Sequence, residues 1–382
     1  MKTLILGCGK IGSVATRDFA ESMSSAEVFV ADKDAVRAKE VAKSIGMDNV
    51  TGIQLNASNY NELVDTLETF DLVMGFLPGD LGYHLVKACV DVGKDLVDVS
   101  YMPENPLTLN DKAARTNVTI IPSCGLAPGI SNILVGHAIK KLDKTQTVHI
   151  MVGGLPAKPV PPLGYTITFS VESVIDEYTR KARIIKNSKP IDVEALSGLE
   201  EIEFPGIGRL EAFYTDGLRT LLYTVKDVDD MWEKTLRYPG HAKRIELLKV
   251  LGFFNEEPID VDGVSLSPRK LSARLLGQKL LMPGVKDIVA MKVEVSGVRN
   301  GRHVSYVYHL LDEYDEKKGI TAMARTTAYT ASATAQLILR KVIREKGVVP
   351  PERLGMSEEF FSAFLQELRR RGIKVTESKA YA

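Results

Sequence analysis

A glycine-rich turn near the N-terminus has residue types and spacing that suit dinucleotide binding. The apolar strand Leu4–Leu6 runs into Gly7–Gly12, which reads GCGKIG, and a helical pattern follows. The first glycine permits a tight turn, the second lets backbone approach a pyrophosphate, and the third allows close helix–strand packing. The helix N-terminus then presents unpaired N–H groups to the phosphates. The turn therefore predicts a dinucleotide site, and the alternative is a βαβ unit that binds no nucleotide.

An acid follows this turn where a ribose contact is expected. The strand Val28–Ala31 ends on Asp32, 20 residues past Gly12. Such an acid accepts hydrogen bonds from ribose hydroxyls and repels a 2′-phosphate, which predicts NAD as the cofactor, although Lys33 could tolerate NADP. Residues of the turn and of later strand ends make up the predicted cofactor site. They are Gly7, Cys8, Gly9, Lys10, Ile11, Gly12, Asp32, Lys33, Ala57, Ser58, Leu77, Pro78 and Ser100.

Two arginines and two acids could hold a ligand that carries a carboxylate and an ammonium group. Arg237 and Arg219 are candidate carboxylate clamps, because a guanidinium matches a carboxylate in bidentate fashion. Asp216 or Glu104 could hold the α-ammonium group. The alternative for Arg237 is that it braces its own loop.

Two further side chains are candidates for the reaction itself. Tyr101 stands just past a predicted strand end, where the nicotinamide is expected, and it could transfer a proton or simply pack under the ring. His241 could carry a proton near neutral pH. Its alternative is a surface histidine at the start of a helix.

The first 125 residues alternate strand and helix, which predicts a parallel sheet covered on both faces. In such sheets ligands bind beyond the carboxyl ends of the strands, where the strand order reverses. The predicted strands are 3–6, 27–31, 50–55, 71–76, 95–99 and 118–121, and the predicted helices are 11–23, 34–44, 60–69, 81–91 and 107–116.

The pattern changes after residue 125. A helix is predicted at 130–142, strands at 148–151 and 167–171, and a hairpin of 292–298 with 303–311 around Asn300-Gly301. A mixed or antiparallel sheet is thus expected over most of 130–318. Near residue 321 helical character returns, with a buried helix at 324–344 and a last helix that Ser357 caps and that runs to about Arg371.

The predicted fold class is α/β, with three segments. Residues 1–125 form a Rossmann domain with a doubly wound parallel sheet that binds NAD. Residues 126–318 form an α+β substrate-binding and dimerisation domain. Residues 319–382 form C-terminal helices that pack back on the first domain.

Composition excludes several classes of partner. Lys plus Arg and Asp plus Glu each number 49, so no nucleic acid or anionic membrane is expected as a partner. No apolar run reaches about 18 residues, and the N-terminus enters a strand directly, so neither a membrane span nor a signal peptide is expected. Three widely spaced cysteines fit a reducing cytoplasm, and the six scattered histidines predict no metal site.

Several blocks in order along the chain resemble the saccharopine dehydrogenase (reductase) family, and within it the lysine 6-dehydrogenases. They cover residues 1 to about 255, and the remaining third matches less distinctly. The blocks are Gly7–Gly12, Asp71–Pro78, Asp98–Tyr101, Gly125–Gly129, Gly153–Pro156, Pro162–Tyr165 and Thr235–His241.

This resemblance implies a Rossmann domain, a substrate domain whose sheet supports dimer contacts, and oxidoreductase chemistry at an amine carbon. A homodimer or higher homo-oligomer is the expected assembly. The resemblance also places Ala127, Gly153 and Gly154 in the substrate site. Saccharopine reductases usually have an acid where this chain has Ala127 and a cysteine where it has Val152, so saccharopine is disfavoured as the substrate.

Three functions compete at this point. The leading one is NAD-dependent oxidation of the ε-amine of L-lysine with release of ammonia. The second is reductive condensation of an amine with a semialdehyde, as in saccharopine or carboxynorspermidine formation, and Ala127 argues against it. The third is a nucleotide-sensing protein without catalysis, against which the retained Ser100-Tyr101 and Gly153-Gly154 segments argue.

Overall fold

The computed structural model describes residues 1–381, and Ala382, the end of the predicted C-terminal segment, lies outside the described residues. Two compact units are formed. The first combines residues 1–141 with 324–374, and the second combines 142–323 with the chain from 375 on. These divisions differ from those predicted at 125 and 318: the helix after residue 129 is part of the first unit, and the last strand is part of the second.

The first unit begins with alternating strands and helices. They are β1 (Lys2–Leu6), α1 (Lys10–Ser22), β2 (Glu27–Asp32), α2 (Ala35–Ile45), β3 (Val50–Gln54), α3 (Tyr60–Leu67), β4 (Leu72–Gly75), α4 (Gly79–Val92), β5 (Asp95–Asp98), a 3₁₀ turn (Pro106–Leu109), α5 (Asn110–Arg115), β6 (Thr119–Ile121) and α6 (Ile130–Lys140).

The second unit is built mainly from strands. Its elements up to residue 323 are β7 (Lys144–Pro156), α7 (Val171–Thr179), β8 (Ala182–Lys186), β9 (Lys189–Val193), β10 (Glu200–Phe204), β11 (Gly208–Tyr214), α8 (Leu221–Thr224), β12 (Asp230–Arg237), α9 (His241–Val250), β13 (Ile259–Val261), β14 (Val264–Leu266), α10 (Pro268–Leu280), β15 (Asp287–Arg299) and β16 (Arg302–Glu313).

The rest of the chain is largely helical. Its elements are α11 (Ala322–Leu339), β17 (Gly347–Val348), α12 (Pro351–Gly355), α13 (Glu358–Arg370) and β18 (Val375–Tyr381). Ser357 caps α13 by accepting a hydrogen bond from the Phe360 N–H, which confirms the predicted cap.

The sheet of the first unit has the order β17–β6–β5–β4–β1–β2–β3, and every neighbouring pair is parallel. The predicted Rossmann sheet is therefore confirmed. Its interior strands are continuous apolar runs, as expected for strands covered on both faces, and β4 is buried at all four positions. The strand order reverses between β1 and β4, so the turn after β1 and the loop after β4 border the crevice where ligands bind in this fold.

The second unit has a mixed sheet, as predicted. The order is β10–β11–β12–β7–β15–β16–β18, with β8 paired to both β12 and β9. Only β12 and β7 run parallel among the neighbours in this sheet of the described chain. The predicted hairpin is confirmed: β15 and β16 pair along their whole length, and Asn300 and Gly301 have φ of +50° and +73° at the turn.

One predicted strand is wrong. Residues 167–170 form a loop and Val171 begins α7. The N–H of Ile167 and the hydroxyl of Thr166 both donate to the carbonyl of Leu280 at the end of α10, instead of to a neighbouring strand. The apolar, β-branched pattern of this segment reflects burial against a helix end, which periodicity alone does not separate from a strand.

Candidate active site

The glycine turn of the first unit has the geometry that a dinucleotide requires. Gly7 has a φ of +110°, and a Cβ on Gly12 would lie 1.9 Å from the Gly7 carbonyl oxygen. A Cβ on Gly9 would meet no atom of residues 1–381 within 4 Å, so this side of the turn is open. Gly9 precedes the 13-residue α1 and has no side chain to cap it. The first N–H groups of α1 are thus available to a phosphate.

Asp32 is held at the edge of this turn by backbone hydrogen bonds. Its Oδ2 accepts from the Cys8 N–H at 3.0 Å, and its Oδ1 accepts from the Asp34 N–H at 3.1 Å. A carboxylate oxygen can accept more than one hydrogen bond, so both oxygens retain capacity for ribose hydroxyls. The geometry suits the predicted ribose contact.

A second cation stands beside Asp32, and the sequence reasoning missed it. The Nε of Arg37 donates to the carbonyl oxygen of Cys8 at 3.1 Å, so Arg37 and Asp32 bind opposite ends of the same residue. Lys33, the cation that was considered, is exposed. An arginine on the helix that follows the acid was the available signal, because a guanidinium there can accommodate a 2′-phosphate.

The other predicted cofactor residues lie at strand ends and on the first turn of α1. Lys10 is exposed and Ile11 half-buried on that turn, while Ala57 is buried and Ser58 donates to the Asn56 side chain at 2.7 Å. After β4, Leu77 is half-buried and Pro78 precedes α4. Cys8 is buried, and desolvation raises the pKa of its thiol to about 12, so its part in the turn is played by its backbone.

Ser100 and Tyr101 follow β5, whose last residue is a buried acid. The Ser100 hydroxyl and N–H both donate to Oδ2 of Asp98. Burial raises the pKa of Asp98 to about 7, and its Oδ1 has no hydrogen-bond partner among the described residues. Tyr101 is half-buried, one residue further on. The Ser100 hydroxyl is thus directed to Asp98, while Tyr101 lies three residues past the end of β5.

The segment Gly125–Gly129, between β6 and α6, carries no ionisable side chain. It reads Gly125-Leu126-Ala127-Pro128-Gly129, and Ala127 is half-buried at its centre. Glu104, the predicted alternative partner for an α-ammonium group, is exposed in a loop of the same unit. This segment therefore offers no charged side chain to a ligand that binds near Ala127.

In the second unit, Arg237 ends β12 as a buried cation with part of its hydrogen-bonding capacity unused. Its side chain is only 2% exposed and donates to Glu177 at 2.7 Å and to the Leu236 carbonyl at 2.9 Å. The guanidinium carbon lies 4.4 Å from the centre of the Tyr165 ring. Its Nε has no hydrogen-bond partner among residues 1–381. Buried polar groups normally find partners, so this nitrogen is a candidate ligand contact.

Two buried hydroxyls of the segment before α7 also lack partners. These are Tyr165 Oη and Thr168 Oγ1, neither of which bonds to any described residue. The strand next to β12 contributes Gly154, where a Cβ would come within 3.3 Å of Thr168 Oγ1 and 2.5 Å of Met323 Cε. Gly153 is needed for a different reason, because a Cβ there would lie 2.5 Å from the Leu236 carbonyl. A side chain at position 154 would thus crowd Thr168 Oγ1, one of the unused donors.

Asp216, predicted to hold a substrate ammonium group, already pairs with two arginines. Its buried carboxylate accepts from the Arg183 Nε at 3.0 Å and from another guanidinium nitrogen of Arg183 at 3.1 Å. It also accepts from Arg219 at 2.9 Å. Two guanidinium groups therefore occupy it already. Arg219, predicted as a second carboxylate clamp, is buried in this ion pair and has a φ of +51°.

His241 does not fit the predicted role of proton carrier. The ring is fully buried, its Nε2 lies 2.9 Å from the Tyr178 hydroxyl, and its Nδ1 lies 3.0 Å from the Leu163 carbonyl. Burial and the nearby Arg237 lower the pKa of His241 to about 3. The ring is therefore neutral near pH 7 and positions Tyr178 and the Leu163 loop. It is not a surface histidine either.

The sequence reasoning also missed four residues of the second unit. Tyr165 and Glu177 contact Arg237, and Thr168 has a buried hydroxyl without a partner among the described residues. The fourth, Glu233, is a buried acid on the same strand as Arg237. The sequence contained a signal for Glu233, because every second residue of a strand lies on the same face, and Glu233 therefore shares a face of β12 with Thr235 and Arg237. No comparable pattern links Glu177 to Arg237, since they are 60 residues apart in the chain.

Within residues 1–381, no group of His, Cys, Asp and Glu has the geometry of a metal site, and no helix is both long and apolar enough to cross a membrane.

Comparison with known proteins covers both units. Two family models match, the saccharopine dehydrogenase NADP binding domain over residues 3–121 and the saccharopine dehydrogenase C-terminal domain over residues 125–373. Among solved structures, saccharopine dehydrogenase (L-Glu forming) from Saccharomyces cerevisiae matches with a TM-score of 0.80 and 20% identity, and 99% of each chain is covered. That likeness concerns the fold.

Curated relatives have several names. Mitochondrial alpha-aminoadipic semialdehyde synthase of Bos taurus is 23% identical over 98% of this chain and 47% of its own length. Carboxyaminopropylagmatine dehydrogenase of Synechocystis sp. is 22% identical over 96% of each chain. Saccharopine dehydrogenase [NADP(+), L-glutamate-forming] of Pyricularia oryzae is 26% identical over 61% of this chain and 54% of its own. The chain spans about half the length of the semialdehyde synthases it matches.

Proposed function

Because this chain belongs to the saccharopine dehydrogenase family, we propose that it is an NAD-dependent L-lysine 6-dehydrogenase. In this reaction the ε-amino group of L-lysine is oxidised, 2-aminoadipate 6-semialdehyde is formed and ammonia is released. The proposal starts from the family, whose members are oxidoreductases, and from the NAD(P)-binding Rossmann domain of this chain.

The observation that carries the proposal is a set of buried, unused donors in the second unit, on Arg237 and on the segment 165–168. Its Nε, the Tyr165 hydroxyl and the Thr168 hydroxyl are buried, and none has a hydrogen-bond partner among the described residues. A cation with two hydroxyl donors suits a carboxylate, and Glu177 beside Arg237 suits the neighbouring α-ammonium group. The second unit therefore has the polar groups to hold the zwitterionic head of an α-amino acid.

The loop of Ala127 supports a slim substrate with a primary amine. Ala127 and Val152 stand where saccharopine reductases, by the resemblance described above, have an acid and a cysteine. With an alanine and a valine there, these two positions offer neither charge nor a hydrogen bond to a bulkier, multiply charged substrate. A primary amine on an aliphatic chain needs no charged or hydrogen-bonding side chain at these two positions.

NAD supplies the chemistry of hydride acceptance when it is bound. Gly7–Gly12 and the N-terminus of α1 would hold its pyrophosphate, and Asp32 would accept from its ribose hydroxyls. Arg37 favours NADP, so the preference for NAD depends on which of the two side chains dominates.

An assay of NADH formation over a panel of amino acids and polyamines tests the proposal. We expect L-lysine to be oxidised and one ammonia to appear for each NADH. Turnover of another member of the panel without lysine would reject the assignment, and a total lack of turnover would favour the nucleotide-sensing alternative.

The second candidate function is reductive condensation of an amine with a semialdehyde. It is favoured by the relative named carboxyaminopropylagmatine dehydrogenase, which is covered along 96% of its length. In the reverse direction of the assay, NADH would then be consumed only when both a semialdehyde and an amine are supplied. Consumption that requires a second amino acid or a polyamine, and not ammonia, would favour this candidate.

We also propose a cytoplasmic location and a homodimer or higher homo-oligomer. The free thiols of Cys8, Cys89 and Cys124 are in keeping with a reducing compartment. Light scattering on the purified protein measures the assembly directly, and a monomer at assay concentration would reject it.

A further inference from the structure

Glu233 is a buried acid with one carboxylate oxygen that has no hydrogen-bond partner among the described residues. Its side chain lies on β12 and is 4% exposed, and its Oε2 accepts no hydrogen bond from residues 1–381. On one side the backbone closes tightly over it, because a Cβ on Gly217 would lie 1.5 Å from Glu233 Oε1. An unpaired buried carboxylate is costly, so the group must hold a proton or receive a ligand.

The charges around Glu233 come from α7 and from the loop after β11. Burial, followed by Glu177 and Asp216, raises the pKa of Glu233 to about 8 against the lowering effect of Arg219. Asp216 is itself paired to Arg183 and Arg219, and Glu177 to Arg237. Asp216 already has two cationic partners, and Glu177 is assigned above to the α-ammonium group, so Glu233 is the acid of this cluster that remains for a second cation.

Glu233 and Arg237 face the same side of the sheet. They are four residues apart on β12, which at ~3.3 Å per residue separates their Cα atoms by about 13 Å. Between them the Thr235 hydroxyl is 2.9 Å from the Thr215 hydroxyl, so that pair is satisfied. Unused donors thus lie at one end of this face, and an unused acceptor lies at the other. A slim ligand with a carboxylate at one end and an amine at the other matches both.

We propose that Glu233 binds the ε-amino group of the substrate and accepts a proton from it, an assignment that rests on the lysine 6-dehydrogenase function proposed above. In this step an N–H bond of the ammonium group breaks and an O–H bond forms on Glu233. The nitrogen keeps the electron pair, so the amine is left neutral, which is the form that can lose hydride from its carbon. The step is a proton transfer and needs no oxidant.

A ligand pair isolates this contact. L-Norleucine has the same α-amino acid head as L-lysine and lacks the ε-amine. With NADH present to prevent turnover, we expect Glu233→Gln to weaken L-lysine binding at least tenfold in calorimetry and to change L-norleucine binding less than twofold. Asp230→Asn, on the same strand but paired to the partly exposed His149, is the matched control and should change neither.

The pH profile gives a second readout. Because Glu233 must be deprotonated to accept the ammonium proton, kcat/KM for L-lysine should rise as pH increases through about 8. Glu233→Gln should lose this limb, and Glu233→Asp should keep it at lower activity.

Two results would overturn the assignment. One is an equal loss of binding for lysine and norleucine, which means that Glu233 acts on the amino-acid head or on the fold. The other is unchanged lysine affinity together with an unchanged pH profile. The proposed function fails in a different way, when the unmodified protein makes no NADH from L-lysine; if that protein also fails to bind L-lysine, both proposals fall.

Discussion

The guanidinium group of Arg237 donates to Glu177 at 2.7 Å while its Nε has no hydrogen-bond partner among residues 1–381. The ion pair with Glu177 and the bond to the Leu236 carbonyl hold the guanidinium group in place. The Nε that remains without a partner is the proposed contact for a substrate carboxylate.

Arg237→Ala should raise the KM for L-lysine more than it lowers kcat. A carboxylate clamp binds the same group in the ground and transition states, so its loss mainly weakens binding. A charged hydrogen bond contributes roughly 1.5–3 kcal/mol, which corresponds to a rise in KM of about ten- to a hundredfold. Steady-state kinetics at saturating NAD measure this.

Arg209→Ala is the matched control, because Arg209 is an exposed arginine of the adjacent β11 that pairs only with the exposed Glu201. It should leave KM unchanged. A variant of Arg237 with the normal KM and a lower melting temperature would mean that Arg237 only braces its own loop.

The preference between NAD and NADP should depend on Asp32, which favours NAD, and on Arg37, which favours NADP. We expect kcat/KM to be at least tenfold higher with NAD than with NADP, a difference of about 1.4 kcal/mol. Arg37→Ala should widen this ratio by lowering activity with NADP, because it removes the cation that binds beside the Cys8 carbonyl. Equal efficiency with both cofactors in the unmodified protein would show that Arg37 or Lys33 overrides Asp32.

His241 should affect stability and not the catalytic pH profile. Its ordinary pKa is about 6.5, and burial lowers it to about 3 in the folded protein. Between these two pH values the imidazole of His241 binds a proton in the unfolded chain and does not bind one in the folded protein. The contribution of the neutral ring to folding stability is therefore fully present above pH ~6.5 and is lost as pH falls toward 3.

Urea unfolding of His241→Gln at several pH values measures this effect. The variant should be less stable at neutral pH, because it disturbs the bonds to Tyr178 and Leu163, and its stability should depend less on pH. Loss of an activity limb between about pH 6 and 8 in this variant would restore His241 as a proton carrier.

We expect Ala127 to exclude saccharopine as a substrate, and we expect an acidic residue substituted at this position to impair lysine turnover. We expect no measurable oxidation of saccharopine while L-lysine is turned over, because the segment Gly125–Gly129 carries no ionisable side chain. Ala127→Asp should damage lysine turnover, since a partly desolvated carboxylate there would disturb the protonation of the amine. Ala127→Ser, similar in size but uncharged, is the control. Efficient saccharopine oxidation by the unmodified protein would move the chain into the condensation class.

The fold of the first unit could be predicted because its signals are local. Gly7, Gly12 and Asp32 lie within 26 consecutive residues, and each has a role set by one turn or one strand end. The second unit was harder to predict. Its strands β8 to β12 are short and interrupted by turns, and the buried segment 167–170 carries an apolar pattern without being a strand.

The substrate residues could be predicted only in part for the same reason. Arg237 was found by its type, but Glu177 and Tyr165 reach it from elsewhere in the chain. Asp216 and His241 have suitable side chains, yet partners that only the tertiary fold supplies, Arg183 and Tyr178, have already used them. Residue type predicts what a group can do; burial and partners decide whether it is available.

The central claim, oxidation at the ε-carbon of lysine, is tested most directly by following the hydrogen that is transferred. L-Lysine deuterated at C6 should deliver deuterium to NADH, with one ammonia for each NADH, while L-lysine deuterated at C2 should deliver none. Deuterium that arrives from C2 instead would mean α-deamination and would contradict the account.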